Sequence, residues 1–506
     1  MTSIMMGLLT VIVLYMMMMI VIGFKFSKKN KSTGDFYLGG RKLGPFVTAM
    51  SAEASDMSSW LLMGLPGVAL ATGIADAGWT AIGLAIGTYF NWLIVAKKLR
   101  RYSARIDAIT LPDFFAKRFG TSKAIVGIAA LFIVVFFVPY TASGFAACGK
   151  LFGTVFGIDY FTAMLISAVV IVGYTALGGF NAASTTDFIQ SIVMTIALVI
   201  VLGFGVTQAG GMDAVMDNAS KLPGYLSMFN TYSAEANATS PYSALTIAST
   251  LAWGLGYFGM PHVLLRFMAI DDENKLGVSR RVATVWVVIS MAVAVFIGVI
   301  GNAMIANGAI ASLSDPETII VETARLLSNH GVIAIIAAGI ILSGILASTM
   351  STADSQLLAA SSSVSENIVK DVFGIKLSDK VSMLVARVTV LVIAVVAVVL
   401  ASDPNSSVFN IVSFAWAGFG AVFGPAMLTA LFWKRVNKIG TLCGMIVGGV
   451  MVFVWEYCIS PIGGIWGIYE LLPAFVAGLA VNVVVSLCTK APSKEITDIF
   501  EEVKSK

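Results

Sequence analysis

Glu53-Ala54-Ser55-Asp56-Met57-Ser58-Ser59-Trp60 lies inside an otherwise hydrophobic run from Gly44 to Gly73. Two carboxylates, three serines and an indole do not belong in a segment built only to cross lipid. A charge near the bilayer centre costs at least ~2.5 kcal/mol on the mildest scale, so such residues read as functional. The Gly64-Leu65-Pro66-Gly67 sequence that follows predicts a helix break near mid-membrane.

Working outward, the chain around this stretch is lipid-soluble. Hydrophobic residues make up 58% of the 506 and charged residues 12%, well below the roughly 25% charged of a soluble domain. Apolar runs long enough to span a bilayer as helices recur from end to end. Backbone groups in lipid must be paired internally, and runs of this length fit helices rather than barrel strands. The expectation is an all-α polytopic membrane protein in one membrane domain. Thirteen spans are predicted, near 3–24, 44–73, 78–96, 124–152, 157–177, 185–208, 242–268, 282–306, 331–366, 384–402, 407–433, 439–458 and 467–488.

The basic residues orient these spans. With the N-terminus outside, 29 of the 32 Lys and Arg fall in cytoplasmic segments, leaving Lys150, Lys221 and Arg325 outside. Positive residues accumulate on the cytoplasmic side, which predicts a multi-pass plasma-membrane protein with its C-terminal tail inside. The basic run 97–105 is accounted for by topology, with lipid-headgroup binding the other reading. The net charge of +4 is therefore no nucleic-acid signal. Residues 1–25 lack a basic start and a small-residue cleavage site and read as a retained first span. Cys148, Cys443, Cys458 and Cys488 are too far apart for a metal site or a disulfide framework and read as small apolar fillers.

Two more spans carry unusual chemistry. The seventh contains Trp253-Gly254-Leu255-Gly256-Tyr257-Phe258-Gly259-Met260-Pro261-His262, the ninth Ser348-Thr349-Met350-Ser351-Thr352-Ala353-Asp354-Ser355. Broken segments five spans apart point to inverted repeats. Repeat one is expected at 44–208 and repeat two at 242–433, flanked by 1–43, two further helices at 439–488 and a tail at 489–506. Unwound helices leave carbonyls and amides that an ion or a zwitterion can pair.

Ser348, Ser351, Thr352 and Ser355 fall on one helical face. Four neutral oxygens suit a weakly charged cation, but such hydroxyls also bond back to carbonyls or join neighbouring helices. Trp253, Tyr257 and Pro261 share a face on a regular helix, as a pocket wall or as a packing stripe. Asp187 reads as a helix cap or as a charge on an ion path. Asp354 sits deeper in its helix. His262 and His330 read as interface residues. No Ser/His pair or metalloprotease motif is present, so enzyme chemistry is not expected, and neither a cofactor nor an obligatory protein partner is implied.

At these residues the chain resembles the sodium/solute symporter family over nearly its full length, and within it the proline-transporting members. The matching stretches are Leu38-Gly-Gly-Arg41, Leu43-Gly-Pro45, Ser55-Asp-Met-Ser58, Trp60 to Gly67, Thr110-Leu-Pro-Asp-Phe114, Trp253 to Gly259, Pro261-His262, Arg266-Phe-Met268, Met350-Ser-Thr352 and Ala415-Trp-Ala-Gly-Phe-Gly420. The resemblance implies a LeuT-like five-plus-five inverted repeat and sodium-coupled uptake of proline by alternating access. It carries a sodium site onto Ala54, Met57, Ser348, Ser351 and Thr352, with the first three offering carbonyls. It carries ion and substrate coupling onto Asp56 and Ser58, and a proline pocket onto Trp60, Tyr140, Trp253, Tyr257 and Pro261, beside Ser59. A second cation site is expected at Asp187, Asp354 and Ser355. The chain departs from the proline-transporting pattern at Glu53, Ser59, Met260 and Asp354. The alternative is a sodium- or proton-coupled symporter of another small solute (pantothenate, sugar, sialic acid or a carboxylate).

Overall fold

The computed structural model describes residues 2–27, 33–234, 236–375 and 377–505. Lys28, Lys29, Lys31, Lys376 and Lys506, counted above as cytoplasmic charges, lie outside the described residues. The chain is a bundle of membrane-length helices with little else: a short hairpin pairs Asn230–Ser233 with Ala238–Pro241. Among the described residues ten helices are long and apolar enough to cross a bilayer, against the thirteen spans expected. The difference falls on three shorter apolar segments, Trp60–Thr72, Tyr160–Gly173 and Ala244–Phe258. Two of these are halves of the broken helices, which is why a length criterion passes over them.

The first broken helix runs Pro45–Asp56, is interrupted at Met57–Ser59, and resumes as a π-helical turn at Trp60–Gly64 that leads into Leu65–Thr72. The interruption therefore precedes the predicted one, because Gly64-Leu65-Pro66-Gly67 stays helical. Pro66 falls in the first turn of Leu65–Thr72, and the wider turn before it accommodates a residue without an N–H. The glycines serve close packing instead. A β-carbon at Gly64 would lie 3.1 Å from the side chain of Phe409, and one at Gly67 3.0 Å from the backbone of Glu317.

The second broken helix runs Ala244–Leu251, tightens to a 3-10 helix over Ala252–Phe258, opens at Met260 with an extended backbone, and resumes at Pro261–Ala269. Proline at the first helical position loses no hydrogen bond. Trp253 and Tyr257 thus precede the break while Pro261 opens the next half-helix, so the three do not form the continuous face expected of a regular helix. The two broken helices meet at one end: Leu43 N–H donates to Ala269 O at 3.1 Å and Asp271 N–H to Leu43 O at 2.9 Å.

A helix at Val332–Ser362, buried along its second half, packs against both Pro45–Asp56 and the long helix Tyr160–Gln208. The latter bends at Gly179, whose φ of 66° needs a residue without a side chain, and resumes without the loop predicted at 178–184. Asp187 consequently sits two turns inside a helix and not at its cap. Between the third and fourth expected spans, 97–123 carries the end of a helix and the short helix Leu111–Arg118, and the tail forms a helix at Lys494–Ser505.

Candidate functional site

The interruption at Met57–Ser59 faces the Val332–Ser362 helix. Ser351 Oγ donates to Ala54 O at 2.7 Å and to Ser348 O at 3.2 Å, and Thr352 Oγ1 donates to Ser348 O at 3.0 Å. These bonds are the ones expected of hydroxyls that bond back to carbonyls and join neighbouring helices. The hydroxyls bond back along their own helix, and Ser351 also reaches a carbonyl at the end of the broken one. Ala54, Ser348, Ser351 and Thr352 are thereby brought to one spot. Met57, the C-cap of Pro45–Asp56, spends its N–H on Glu53 O. Its own carbonyl accepts from Leu61 N–H at 3.2 Å. Ser58 holds a φ of +23°, unusual for a residue with a side chain and maintained only by its surroundings.

Asp56 is the centre of the pocket residues. Its carbonyl accepts from Tyr140 Oη at 2.9 Å and from the Trp60 indole at 3.3 Å, and its carboxylate accepts from Tyr257 Oη at 2.6 Å. Trp60 and Trp253 face each other with ring centroids 6.1 Å apart. Trp416, a residue with no predicted role, receives Tyr257 edge-on at 5.0 Å and donates to Trp253 O at 2.8 Å. It also packs against Gly256, where a β-carbon would collide with the indole. Asp56, Trp60, Tyr140, Trp253 and Tyr257 therefore converge. Ser59 is buried beside them with an unpaired hydroxyl. A narrow gap is lined by Ser58, Tyr140, Thr141, Thr352 and Gln356, and so touches both Tyr140 and the hydroxyl-bearing helix. An apolar wall with a few aimed oxygens suits a small amphipathic solute.

The residues expected to form a second cation site are also brought together, with a partner not foreseen. Asp187 accepts from Ser51 Oγ at 2.7 Å and from Arg266 Nη2 at 3.0 Å. Arg266 Nη2 further donates to Ser355 Oγ at 2.6 Å, and Ser355 donates to Asp354 at 3.1 Å. The Arg266 side chain is 1% exposed and that of Asp187 0%. Arg266 was counted among the cytoplasmic charges; it is instead a buried counter-ion of Asp187, so one carboxylate of the predicted pair is already neutralised. Asp354 keeps one oxygen without a partner. The only signal for Arg266 was its place in an Arg-Phe-Met match, which names no partner.

A separate ionic cluster lies at the start of the helix whose Phe409 ring packs on Trp253 at 5.4 Å. Lys150 Nζ lies 2.7 Å from both Asp315 and Glu317. Glu317 also accepts from Ser407 Oγ at 2.8 Å and from the Val408 and Phe409 N–H groups at 3.0 Å. It thus caps the Val408–Phe432 helix, where a negative charge complements the helix N-terminus, while its backbone touches Gly67.

Two interrupted helices around a buried polar pocket, crossed by a hydroxyl-bearing third helix, define a secondary transporter of the inverted-repeat class. The chain belongs to the sodium:solute symporter family, whose pattern matches residues 36–448. It is 42% identical over 490 residues to the osmoregulated proline transporter OpuE of Bacillus subtilis (strain 168), covering 96% of each chain. It is 41% identical over 501 residues to a sodium/proline symporter of Haemophilus influenzae, covering 97% of this chain and 96% of the relative. A Na+-coupled sialic acid symporter in a substrate-bound outward-open state superposes with a TM-score of 0.77 at 16% identity, covering 96% of this chain and 99% of that one. Mhp1, a nucleobase-cation-symport-1 family transporter, superposes at 0.55 with 14% identity, covering 94% and 99%. The fold is the LeuT-like one expected from the sequence.

Proposed function

We propose that this protein is a sodium-coupled symporter that carries L-proline into the cell by alternating access. The observation that carries the reading is the 2.7 Å bond from Ser351 to Ala54 O: it ties the interruption beside Asp56 to the hydroxyl helix. An alkali ion set among Ala54, Met57, Ser348, Ser351 and Thr352 would replace that bond with its own coordination and fix the two helices in one relation. Proline would lie against Trp60, Tyr140, Trp253, Tyr257 and Pro261, near Ser59. Its ring meets the indoles and its charged groups meet Asp56, Ser58 and the freed backbone. The names of the relatives support proline over the alternative solutes.

Repeat one is assigned to 44–208 and repeat two to 242–433, with 1–43, 439–488 and 489–506 outside the core. The chain crosses the plasma membrane thirteen times, with its N-terminus outside and its C-terminus in the cytoplasm. In that orientation the Lys150–Glu317 cluster closes the outer mouth. Asp354 and Ser355 hold a second cation, with Asp187 acting through its pair with Arg266.

Proteoliposome uptake tests the reading. Labelled proline should accumulate above equilibrium only with an inward sodium gradient. Excess unlabelled proline should abolish the signal, while pantothenate, sialic acid or glucose should not. Accumulation driven equally well by potassium would refute it.

A further inference from the structure

Two carboxylates, Glu53 and Asp56, lie i, i+3 on the first broken helix and so share one face. Each has one satisfied oxygen and one bare one. Glu53 Oε1 accepts from the Trp92 indole at 2.8 Å and Asp56 Oδ2 from Tyr257 Oη at 2.6 Å, while Glu53 Oε2 and Asp56 Oδ1 have no partner. Trp92 belongs to the helical stretch Ile74–Val95, whose Thr88 and Asn91 are likewise i, i+3. Asn91 Nδ2 donates to Tyr257 O at 3.0 Å, which turns its amide oxygen away. Asn91 Oδ1 and Thr88 Oγ1, the latter near the Tyr257 hydroxyl, are also unpaired. All four residues are 1% exposed or less.

Glycines bring Ile74–Val95 against the second broken helix, which carries Tyr257: a β-carbon at Gly83 would lie 2.6 Å from Leu251 O, and one at Gly87 would collide with Gly254. The result is a set of buried oxygens without donors, on helices tied to one another through Trp92 and Tyr257. Buried polar groups are almost always paired, and among the described residues no Lys or Arg forms an ion pair with Glu53 or Asp56. A cation supplies what is missing. Two carboxylates with neutral amide and hydroxyl oxygens match a small monovalent ion, since calcium takes six to eight oxygens and magnesium keeps its waters.

We propose that Glu53 Oε2, Asp56 Oδ1, Thr88 Oγ1 and Asn91 Oδ1 line a binding site for a small alkali cation, separate from the oxygens around Ser351. It rests on the symporter reading and deepens it. One bound cation leaves one of the two negative charges uncompensated, and the ammonium of an imino-acid substrate at Asp56 completes the balance. Filling this site would therefore prepare the pocket for a substrate that carries a positive nitrogen.

The test is equilibrium binding of radiolabelled sodium to the purified full-length protein, without substrate, at two pH values. Glu53→Gln should bind one sodium fewer per molecule than wild type, and Thr88→Ala should need about ten-fold more sodium to fill the same fraction. Thr352→Ala should weaken a different ion, and Glu53→Gln/Thr352→Ala should combine the lost ion with the weakened one. Glu53→Asp, which keeps the charge, should restore the count and shows that the loss in Glu53→Gln is not misfolding. Wild-type sodium binding by Glu53→Gln at both pH values means that Glu53 is a protonated hydrogen-bonding group, and overturns the site. Unaltered binding in Thr352→Ala alone refutes the Ser351 site and leaves this one standing.

Discussion

Replacing Arg266 by Met should destabilise the protein far more than replacing its partner Asp187 by Asn. Arg266 makes four hydrogen bonds, to Ser51, His262 O, Asp187 and Ser355. Arg266→Met leaves Asp187 with Ser51 alone and Asp354 with Ser355 alone, so two buried carboxylates share a cluster without a cation. Breaking a buried pair this way costs about 3–5 kcal/mol. Asp187→Asn keeps an oxygen for the Ser51 hydroxyl and leaves Arg266 beside Asp354. The loss is then about 1.5–3 kcal/mol, that of a charged hydrogen bond. In the double variant Asp187→Asn/Arg266→Met the uncompensated charge at 187 is gone. A coupling of about 2 kcal/mol between the two sites should appear. Thermal unfolding of the purified variants in one detergent gives the ranking: Arg266→Met lowest, the double variant above it, Asp187→Asn nearest wild type. Equal single variants with a strictly additive double would refute the buried-pair reasoning.

Asp56→Asn should abolish sodium-stimulated uptake, because the carboxylate that receives Tyr257 also faces the pocket; normal sodium dependence there would remove Asp56 from the mechanism. Thr352→Ala should raise the sodium concentration for half-maximal uptake about ten-fold or more, the value of one oxygen to a charged partner, and an unchanged sodium curve would contradict it. Lys150→Met and Glu317→Gln should each reduce uptake several-fold while the charge-neutral pair Lys150→Met/Glu317→Gln recovers part of it; three equally impaired variants would mean that the cluster is no closing latch. Asp354→Ser should lower the sodium:proline ratio measured from reversal potentials, and an unaltered ratio would exclude it as a second cation site.

The membrane class, the broken helices and the hydroxyl stripe were legible because each is local: composition, glycine and proline spacing, and helical periodicity carry them. The pocket residues Asp56, Tyr140, Trp60 and Tyr257 were named from motifs, and they meet at one carbonyl and one carboxylate. What escaped was set by packing between distant segments. Arg266 stands four residues before Ile270 at the end of a half-helix, where a basic residue reads as a loop charge, and only the fold brings Asp187 to it. Trp92 and Asn91 look like lipid-span residues until their partners Glu53 and Tyr257 are seen. The break itself was misplaced by a few residues, since glycine and proline mark both unwinding and close packing. Here Met57–Ser59 unwinds while Gly64 and Gly67 make room for Phe409 and Glu317.

The central claim is that one ion and one solute share a junction of three helices, and reciprocity tests it most directly. If sodium raises the affinity for proline by some factor, proline must raise the affinity for sodium by the same factor. Both should be measured by equilibrium binding to the purified protein. Equal factors well above one, both lost in Thr352→Ala, are the expected result; proline affinity that is the same in sodium and in potassium would contradict the account.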